Sequence, residues 1–247
     1  MCYLTLDIGN TSSKLGCFVD GELVEQAAGL TVEQVLAAAA RLQPRHTIVA
    51  TVAAQPVQDW VARLQPFTQG VVVGLDPAAT PVPLHNGYAT PHTLGADRLA
   101  AAVGAAARFP GQNVLIVDAG TAIKCDLVEA GPTFRGGSIA PGLRLRFQAL
   151  HTFTGRLPLL AVPADVQAPV SLTGNDTHSA IASGVLNGAA AEVNGLIAEY
   201  RELYPELAVV LTGGDAPFFE PRLKGRIFVV PELILLGLHR IQVHNVN

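Results

Sequence analysis

An apolar run closed by Asp, a small or apolar residue, Gly and a nearby hydroxyl side chain occurs twice in this chain. Asp7-Ile8-Gly9-Asn10-Thr11 closes the first run, and Asp118-Ala119-Gly120-Thr121-Ala122 closes the second about 110 residues later. The last side chain of a strand projects from the sheet edge, and a glycine just beyond lets backbone N–H groups approach an anion. One such loop in each half points to a doubled α/β chain whose two hairpins face the phosphates of one nucleotide. Taken alone, each loop reads equally well as a turn capped by its Asp. A carboxylate repels a phosphate, so a cation or water must stand between them. Mg²⁺ suits that place, because it combines one or two carboxylates with phosphate oxygens and keeps several waters. Asn10, Thr11, Ser12 and Ser13 add donors on a tight hairpin that ends in Lys14. Such a density of donors fits a triphosphate tail, although an ordinary polar hairpin has the same look.

Periodicity extends this into an order of elements. Strands are expected over 2–8, 14–19 and 22–29, with Asp20-Gly21 as a tight turn between the last two. Thr31 and Gln34 form a capping box for a helix over about 32–42. A strand at 47–51, a helix near 55–64 and a strand at 71–73 follow. Residues 74–92 carry four prolines and read as a long irregular segment, a kind that is usually functional or disordered. A helix over about 94–108 leads to Pro110-Gly111, taken as the break between domains 1–110 and 111–247. The second half repeats the order, with strands at 113–117, 122–128 and about 133–139 and a helix at about 142–150. A loop-rich stretch over 154–173, a long helix over 176–203, a strand at 208–212, a short helix, a strand at 226–230 and a helix at 231–241 complete it.

Leu94-Gly95-Ala96-Asp97-Arg98 opens a helix, where the dipole favours an acidic residue in the first turn. Helix stabilisation alone would explain Asp97. The long proline-rich lead-in and the adjacent Arg98 favour a second role, in which Asp97 accepts the proton of an alcohol as a γ-phosphoryl group arrives. Tyr88, in the irregular segment, is either a substrate contact or a surface tyrosine. Arg135-Gly136-Gly137-Ser138-Ile139-Ala140-Pro141-Gly142 is an anion-binding turn or a close-packed one. Gly174-Asn175-Asp176-Thr177 opens the longest helix, with Asp176 or Thr177 as its cap. Leu211-Thr212-Gly213-Gly214-Asp215 lines a nucleoside pocket or simply turns.

Composition narrows the function classes. Hydrophobic residues make up 49% and charged residues 15% of 247 positions, so a sizeable core is available and disorder is not expected. Apolar stretches fall far short of the roughly 20 residues that span a bilayer. Met1 runs straight into the first strand without a leader pattern. A net charge of −4 and the lack of a basic tract argue against nucleic acid. Cys2, Cys17 and Cys125 lack metal spacing and read as free thiols in a reducing cytoplasm. The seven histidines are scattered; none is assigned to catalysis and no structural zinc is expected. All but three of the 16 basic residues are Arg, and two of those three, Lys14 and Lys124, follow the repeated loops. A compact ammonium suits a phosphate oxygen where a planar guanidinium fork does not; a charge at a strand edge is the plainer explanation.

Asp7-Ile8-Gly9-Asn10-Thr11-x-x-Lys14, Leu94-Gly95-Ala96-Asp97-Arg98, Asp118-Ala119-Gly120-Thr121-Ala122, Gly136-Gly137-Ser138-Ile139-Ala140-Pro141-Gly142 and Thr177-x-x-Ala180-Ile181-x-x-Gly184 occur in this order. Together they resemble the type III pantothenate kinases of the Bvg accessory factor-like group, over essentially the whole chain. The resemblance implies two ribonuclease H-like domains of the acetate kinase, sugar kinase, chaperone ATPase and actin superfamily. It implies ATP-dependent phosphorylation of pantothenate to 4'-phosphopantothenate, the first step of coenzyme A biosynthesis, by a cytoplasmic homodimer with Mg²⁺. By the same resemblance Asp7, Gly9, Asn10, Thr11, Lys14 and Thr121 contact ATP. Tyr88, Gly95, Ala96, Asp97, Arg98 and Thr177 hold pantothenate, with Thr177 near the dimer interface and Asp97 as proton acceptor. Asp118 then ligates a monovalent cation, K⁺ or NH₄⁺, rather than Mg²⁺. Two positions depart from the family pattern. Lys124 stands where Thr is common, and its ammonium can replace the monovalent cation. Gly174-Asn175-Asp176-Thr177 stands where G-x-N-T is common. Two rival readings are a kinase of another small alcohol and a non-catalytic accessory regulator; the presence of Asp7, Asp97 and Asp118 speaks against the second.

Overall fold

The computed structural model of the chain describes residues 2–10 and 12–246. They divide into two units, the first holding 1–111, 130–135 and 232–247 and the second 112–129 and 136–231.

The first unit begins with β1 (Tyr3–Ile8), β2 (Ser13–Val19) and β3 (Glu22–Leu30), joined as antiparallel neighbours. Asp20 and Gly21 turn the second hairpin with φ of 52° and 86°, the positive values that a right-twisted two-residue turn requires. α1 (Val32–Leu42) starts at the expected capping box. Gln34 N donates to Thr31 Oγ1 at 3.3 Å, and Thr31 N donates to Gln34 Oε1 at 2.8 Å. β4 (His46–Thr51), α2 (Val57–Leu64) and β5 (Val72–Gly74) complete a sheet of order β3-β2-β1-β4-β5, parallel from β1 outward through β4 to β5. α1 and α2 bury Val35, Ala39, Trp60 and Leu64 against Leu4, Leu6 and Val49. Each fully buried aliphatic side chain of this set contributes about 1.5–3 kcal/mol.

The proline-rich segment is more ordered than the expectation of a wholly irregular stretch. β6 (His85–Asn86) pairs in parallel with Thr133 and Phe134, and Pro91–Thr93 form a 3₁₀ turn. Backbone pairing with residues some 50 positions away is a contact no local pattern announces. α3 (Ala96–Arg108) follows.

The second unit restates the first. β7 (Val114–Ala119), β8 (Ala122–Glu129) and β9 (Thr133–Pro141, which begins in the first unit) precede α4 (Leu143–Thr152), α5 (Thr177–Ala182) and α6 (Gly188–Leu203). A π turn over Ser183–Asn187 joins α5 to α6. Then come β10 (Ala208–Thr212), α7 (Ala216–Phe219) and β11 (Phe228–Val229). Strand order β9-β8-β7-β10-β11 reproduces β3-β2-β1-β4-β5. β7 is buried along its whole length, Asp118 included, as expected for a strand whose apolar run Val114–Val117 has neighbours on both edges.

α8 (Leu233–Val246) corrects the expected division at residue 110, because it returns to the first unit. It crosses α3 at contact distance. A Cβ on Gly237 would lie 1.8 Å from Ala100 O, and one on Gly104 would lie 2.4 Å from Leu233 O. Only glycine at both positions lets the backbones approach this closely. Residues 130–135 also join the first unit, through the pairing with β6.

A second correction concerns the cysteines. Cys2 and Cys17 form a disulfide with Cα atoms 5.9 Å apart, and only Cys125 is a free thiol among the described residues. Leu4 faces Cys17 in the β1–β2 register, so Cys2 lies diagonally across on the same face, within the reach of a disulfide. With two of the three cysteines paired, the cysteine pattern no longer points to a reducing compartment.

Candidate active site

The first loop joins β1 to β2. Asp7 lies opposite Lys14 in the register, and Ile8 lies opposite Ser13. Asp7 is buried, whereas Asn10 and Ser12 are exposed. Gly9 N donates to Ser12 O at 3.1 Å, and a Cβ on Gly9 would meet that oxygen at 2.9 Å. Gly29 N donates to Ser12 Oγ at 3.1 Å, which ties the loop to the end of β3. Lys14 has no ion-pair partner among the described residues, so its ammonium is available to an anion. Thr11, expected to contact ATP, lies outside the described residues.

The segment that opens α3 is built around Arg98. Its side chain is 5% exposed, with Cζ 5.3 Å from the Tyr88 ring centre and 5.9 Å from that of Phe134. Nη1 donates to Tyr88 Oη at the long distance of 3.5 Å. Guanidinium stacking on aromatic faces suits a buried Arg. Asp97 is half-buried and curls back, its Oδ1 accepting from Arg98 N at 2.8 Å. A Cβ on Gly95 would lie 2.5 Å from that Oδ1. Gly95 is thus the residue that lets the Asp97 carboxylate fold over the helix start. Tyr88, Gly95, Ala96, Asp97 and Arg98 come together as one group. Phe134 belongs with them and was not anticipated, since a lone aromatic on a strand carries no signal of its partner.

The second loop joins β7 to β8. Asp118 lies opposite Lys124, and Lys124 Nζ meets Asp118 Oδ2 at 2.6 Å. The two side chains are 10% and 15% exposed, Asp118 the lower. Thr121 is exposed. Gly142 N donates to Thr121 O at 3.0 Å, and a Cβ on Gly142 would lie 2.0 Å from Gly120 O. Gly213, at φ 95°, packs on the other side: its Cβ would lie 2.2 Å from Ala119 O and 2.6 Å from Asp118 Oδ1. Asp215 N donates to Ala119 O at 2.9 Å. Both glycine turns singled out in the sequence therefore buttress the second loop. Burial pushes the Asp215 carboxyl above its ordinary value, and burial with the nearby Asp126 charge pushes the Cys125 thiol up to about 12. A thiol so placed stays protonated and unreactive.

Thr177 is the exposed first residue of α5. The cap is Asp176, whose carboxylate accepts from Ser179 N at 2.9 Å while Ser179 Oγ accepts from Asp176 N at 3.1 Å. Among the described residues no hydrogen bond links Thr177 to the second loop. No cluster of three or more His, Cys, Asp or Glu able to hold a metal occurs among them either. A cation at Asp7 or Asp118 would therefore take fewer than three such side chains and complete its shell with ligand, backbone or water oxygens, a set that suits Mg²⁺ or an alkali ion.

The sequence profile of the type III pantothenate kinase family matches residues 3–199. A type III pantothenate kinase from Cytophaga hutchinsonii is 43% identical over 98% of this chain and 99% of its own length. One from Phocaeicola vulgatus is 40% identical over 98% of each. Among solved structures, a Baf-family protein from Campylobacter jejuni covers 98% of both chains with a TM-score of 0.64 at 21% identity. The fold is that of the actin-like ATPases and sugar kinases, with two α/β domains.

Proposed function

The chain belongs to the type III pantothenate kinase family, and on that premise we propose that it transfers the γ-phosphoryl group of ATP to the hydroxyl of pantothenate. The product is 4'-phosphopantothenate. The observation that carries the reading is the group at the start of α3. Arg98 lies against both rings of the stacked Tyr88–Phe134 pair, and Asp97 beside it keeps a carboxylate half open to solvent.

In this reading Gly9, Asn10, Thr11 and Lys14 hold the triphosphate, and Thr121 adds a contact to ATP. Asp7 supplies a hard oxygen toward Mg²⁺, which neutralises charge on the β- and γ-phosphates when bound. Tyr88, Gly95, Ala96 and Arg98 orient pantothenate. Asp97 accepts the proton of the attacking hydroxyl. A loose transition state asks little of that base, so positioning and charge neutralisation supply most of the acceleration. The test is ADP release with pantothenate in a coupled assay, repeated with Asp97→Asn. Nucleotide affinity should persist while turnover falls on the order of a hundredfold or more. Near-normal turnover would remove the assignment of Asp97, and turnover with other alcohols but not pantothenate would remove the substrate.

The monovalent cation expected at Asp118 is, in this reading, supplied by the protein. Lys124 Nζ already meets Asp118 Oδ2 at 2.6 Å in a largely buried setting. Activity at saturating ATP and Mg²⁺ should then be independent of K⁺ and NH₄⁺, and a strict requirement for either would overturn this. A homodimer is proposed through the second unit, where Phe153 and Leu172 are 85% and 83% exposed and Ile139 and Leu159 are exposed as well. Apolar side chains this open mark a covered surface where they form one contiguous patch. Thr177 would then meet pantothenate near that interface. A monomer by light scattering at micromolar concentration would count against it. The cytoplasmic location follows from the metabolic role; among the described residues no helix is long and apolar enough to cross a membrane.

A further inference from the structure

The first unit contains a cavity of about 630 Å³ that has no part in the chemistry above. It lies where the second halves of α3 and α8 meet β1 and the β2–β3 turn. Its size falls within the range of small-ligand sites, roughly 300–1,000 Å³. The reason for the space is local. α3 presents Gly104, at the close crossing of the two helices, and Ala107, one turn further on, residues with little or no side chain. Leu236 and Val243 of α8 complete an apolar floor.

The rim is strongly basic. Arg45, Arg108 and Arg240 line the cavity from three separate elements, and Asp20 is the single carboxylate among its lining residues. All three arginines are exposed, so their guanidinium forks reach solvent. In a chain of net charge −4 this local excess of two positive charges is unusual. Arg108 also sits in the last turn of α3, where it offsets the carbonyl end of the helix dipole. One wall is aromatic. His239, only 8% exposed, stacks on Phe18 with ring centres 4.2 Å apart and planes 6° from parallel, and meets Tyr3 edge-on. Burial, with the Arg240 charge beside it, lowers the His239 pKa, while a side-chain hydrogen bond with Gln242 on the same helix acts the other way.

We propose that this cavity binds a small phosphomonoester with an apolar or flat body, at a site distinct from the kinase loops. A phosphomonoester carries about −1.5 to −2 charges at neutral pH, which matches the excess of the rim. Planar guanidinium forks recognise phosphate oxygens bidentately. The apolar floor and aromatic wall take the body of the ligand.

The test is isothermal titration of the full chain with phenyl phosphate, inorganic phosphate and benzoate. Phenyl phosphate should bind in a one-site isotherm, at least tenfold more tightly than either of the others. Arg240→Glu and Arg108→Glu should each weaken it at least tenfold; Arg240→Glu, at an exposed side chain, should leave the melting temperature unchanged, whereas Arg108→Glu should lower it slightly because it also reverses a favourable charge at the end of α3. Arg240→Gln, which removes charge without reversing it, should weaken it less. Lys14→Ala, which alters the triphosphate loop, should leave it intact. Loss of binding in Lys14→Ala with retention in Arg240→Glu would assign the ligand to the ATP site and overturn the proposal. Equal binding of inorganic phosphate would remove the role of the floor, and equal binding of benzoate would remove the preference for a phosphomonoester. No binding of phenyl phosphate at millimolar concentration would overturn the site altogether.

Discussion

The two Asp–Gly hairpins share a register and differ in almost everything that follows from it. In both, the strand-end Asp lies directly opposite a Lys on the returning strand, Asp7 with Lys14 and Asp118 with Lys124. In the first, four residues separate the last paired positions, Ile8 and Ser13; in the second, three separate Ala119 and Ile123. The wider first loop is polar and is held by its own backbone and by Gly29, leaving Lys14 without an ion-pair partner among the described residues. The tighter second loop is clamped by Gly142 and Gly213, and its Lys124 is committed to Asp118. One backbone device has thus yielded an open polar loop and a closed, charge-neutral one. The lesson is that a repeated motif fixes geometry at the strand end, while the residues packed on the loop decide its electrostatics.

The sharpest way to break this contrast is Lys124→Met. Removing one partner of a buried pair leaves the Asp118 charge uncompensated, at a cost of about 3–5 kcal/mol. The expected result is a large drop in urea midpoint, partly restored by K⁺. An unchanged midpoint would mean the pair is no support. Gly142→Ala comes next. Its Cβ would lie 2.0 Å from Gly120 O, so the second loop must shift, costing about 3 kcal/mol. Thermal unfolding would detect it, and a neutral result would show the clamp to be soft. Lys14→Ala should act on function instead of stability, lowering kcat/KM for ATP by about a hundredfold, or roughly 2.7 kcal/mol. A loss of stability without loss of activity would erase the distinction between the loops. The smallest effect is expected for Gly9→Ala. Its Cβ meets only Ser12 O, at 2.9 Å, a milder approach than the 2.0 Å at Gly142, so the change should cost about 1 kcal/mol in stability.

Legibility followed the range of the interactions. The capping box of Thr31 and Gln34, the Asp20-Gly21 turn and the cap at Asp176 are contacts within a few residues, and each was readable because its partners are neighbours in the chain. The candidate residues Asp7, Asp97, Asp118 and Lys124 could be singled out because strand ends and helix starts place them in fixed sequence patterns. The pairing of Cys2 with Cys17, the β6 contact with Thr133 and Phe134, and the aromatic floor under Arg98 were not, because each joins positions that only a register or a crossover brings together. Asp215 was named as a turn residue, yet its raised pKa comes from burial that no local pattern predicts.

By itself the sequence determined the doubled order of strands and helices, the two Asp–Gly loops and the family to which they belong, since alternation, turn chemistry and motif order are all local properties. Tertiary structure alone decided that α8 rejoins the first unit, that Lys124 spends its charge on Asp118, and that three distant arginines share one cavity. Those outcomes depend on which surfaces meet and how much water they exclude. Burial strengthens a charge pair and silences a thiol, and burial is a property of the packed molecule.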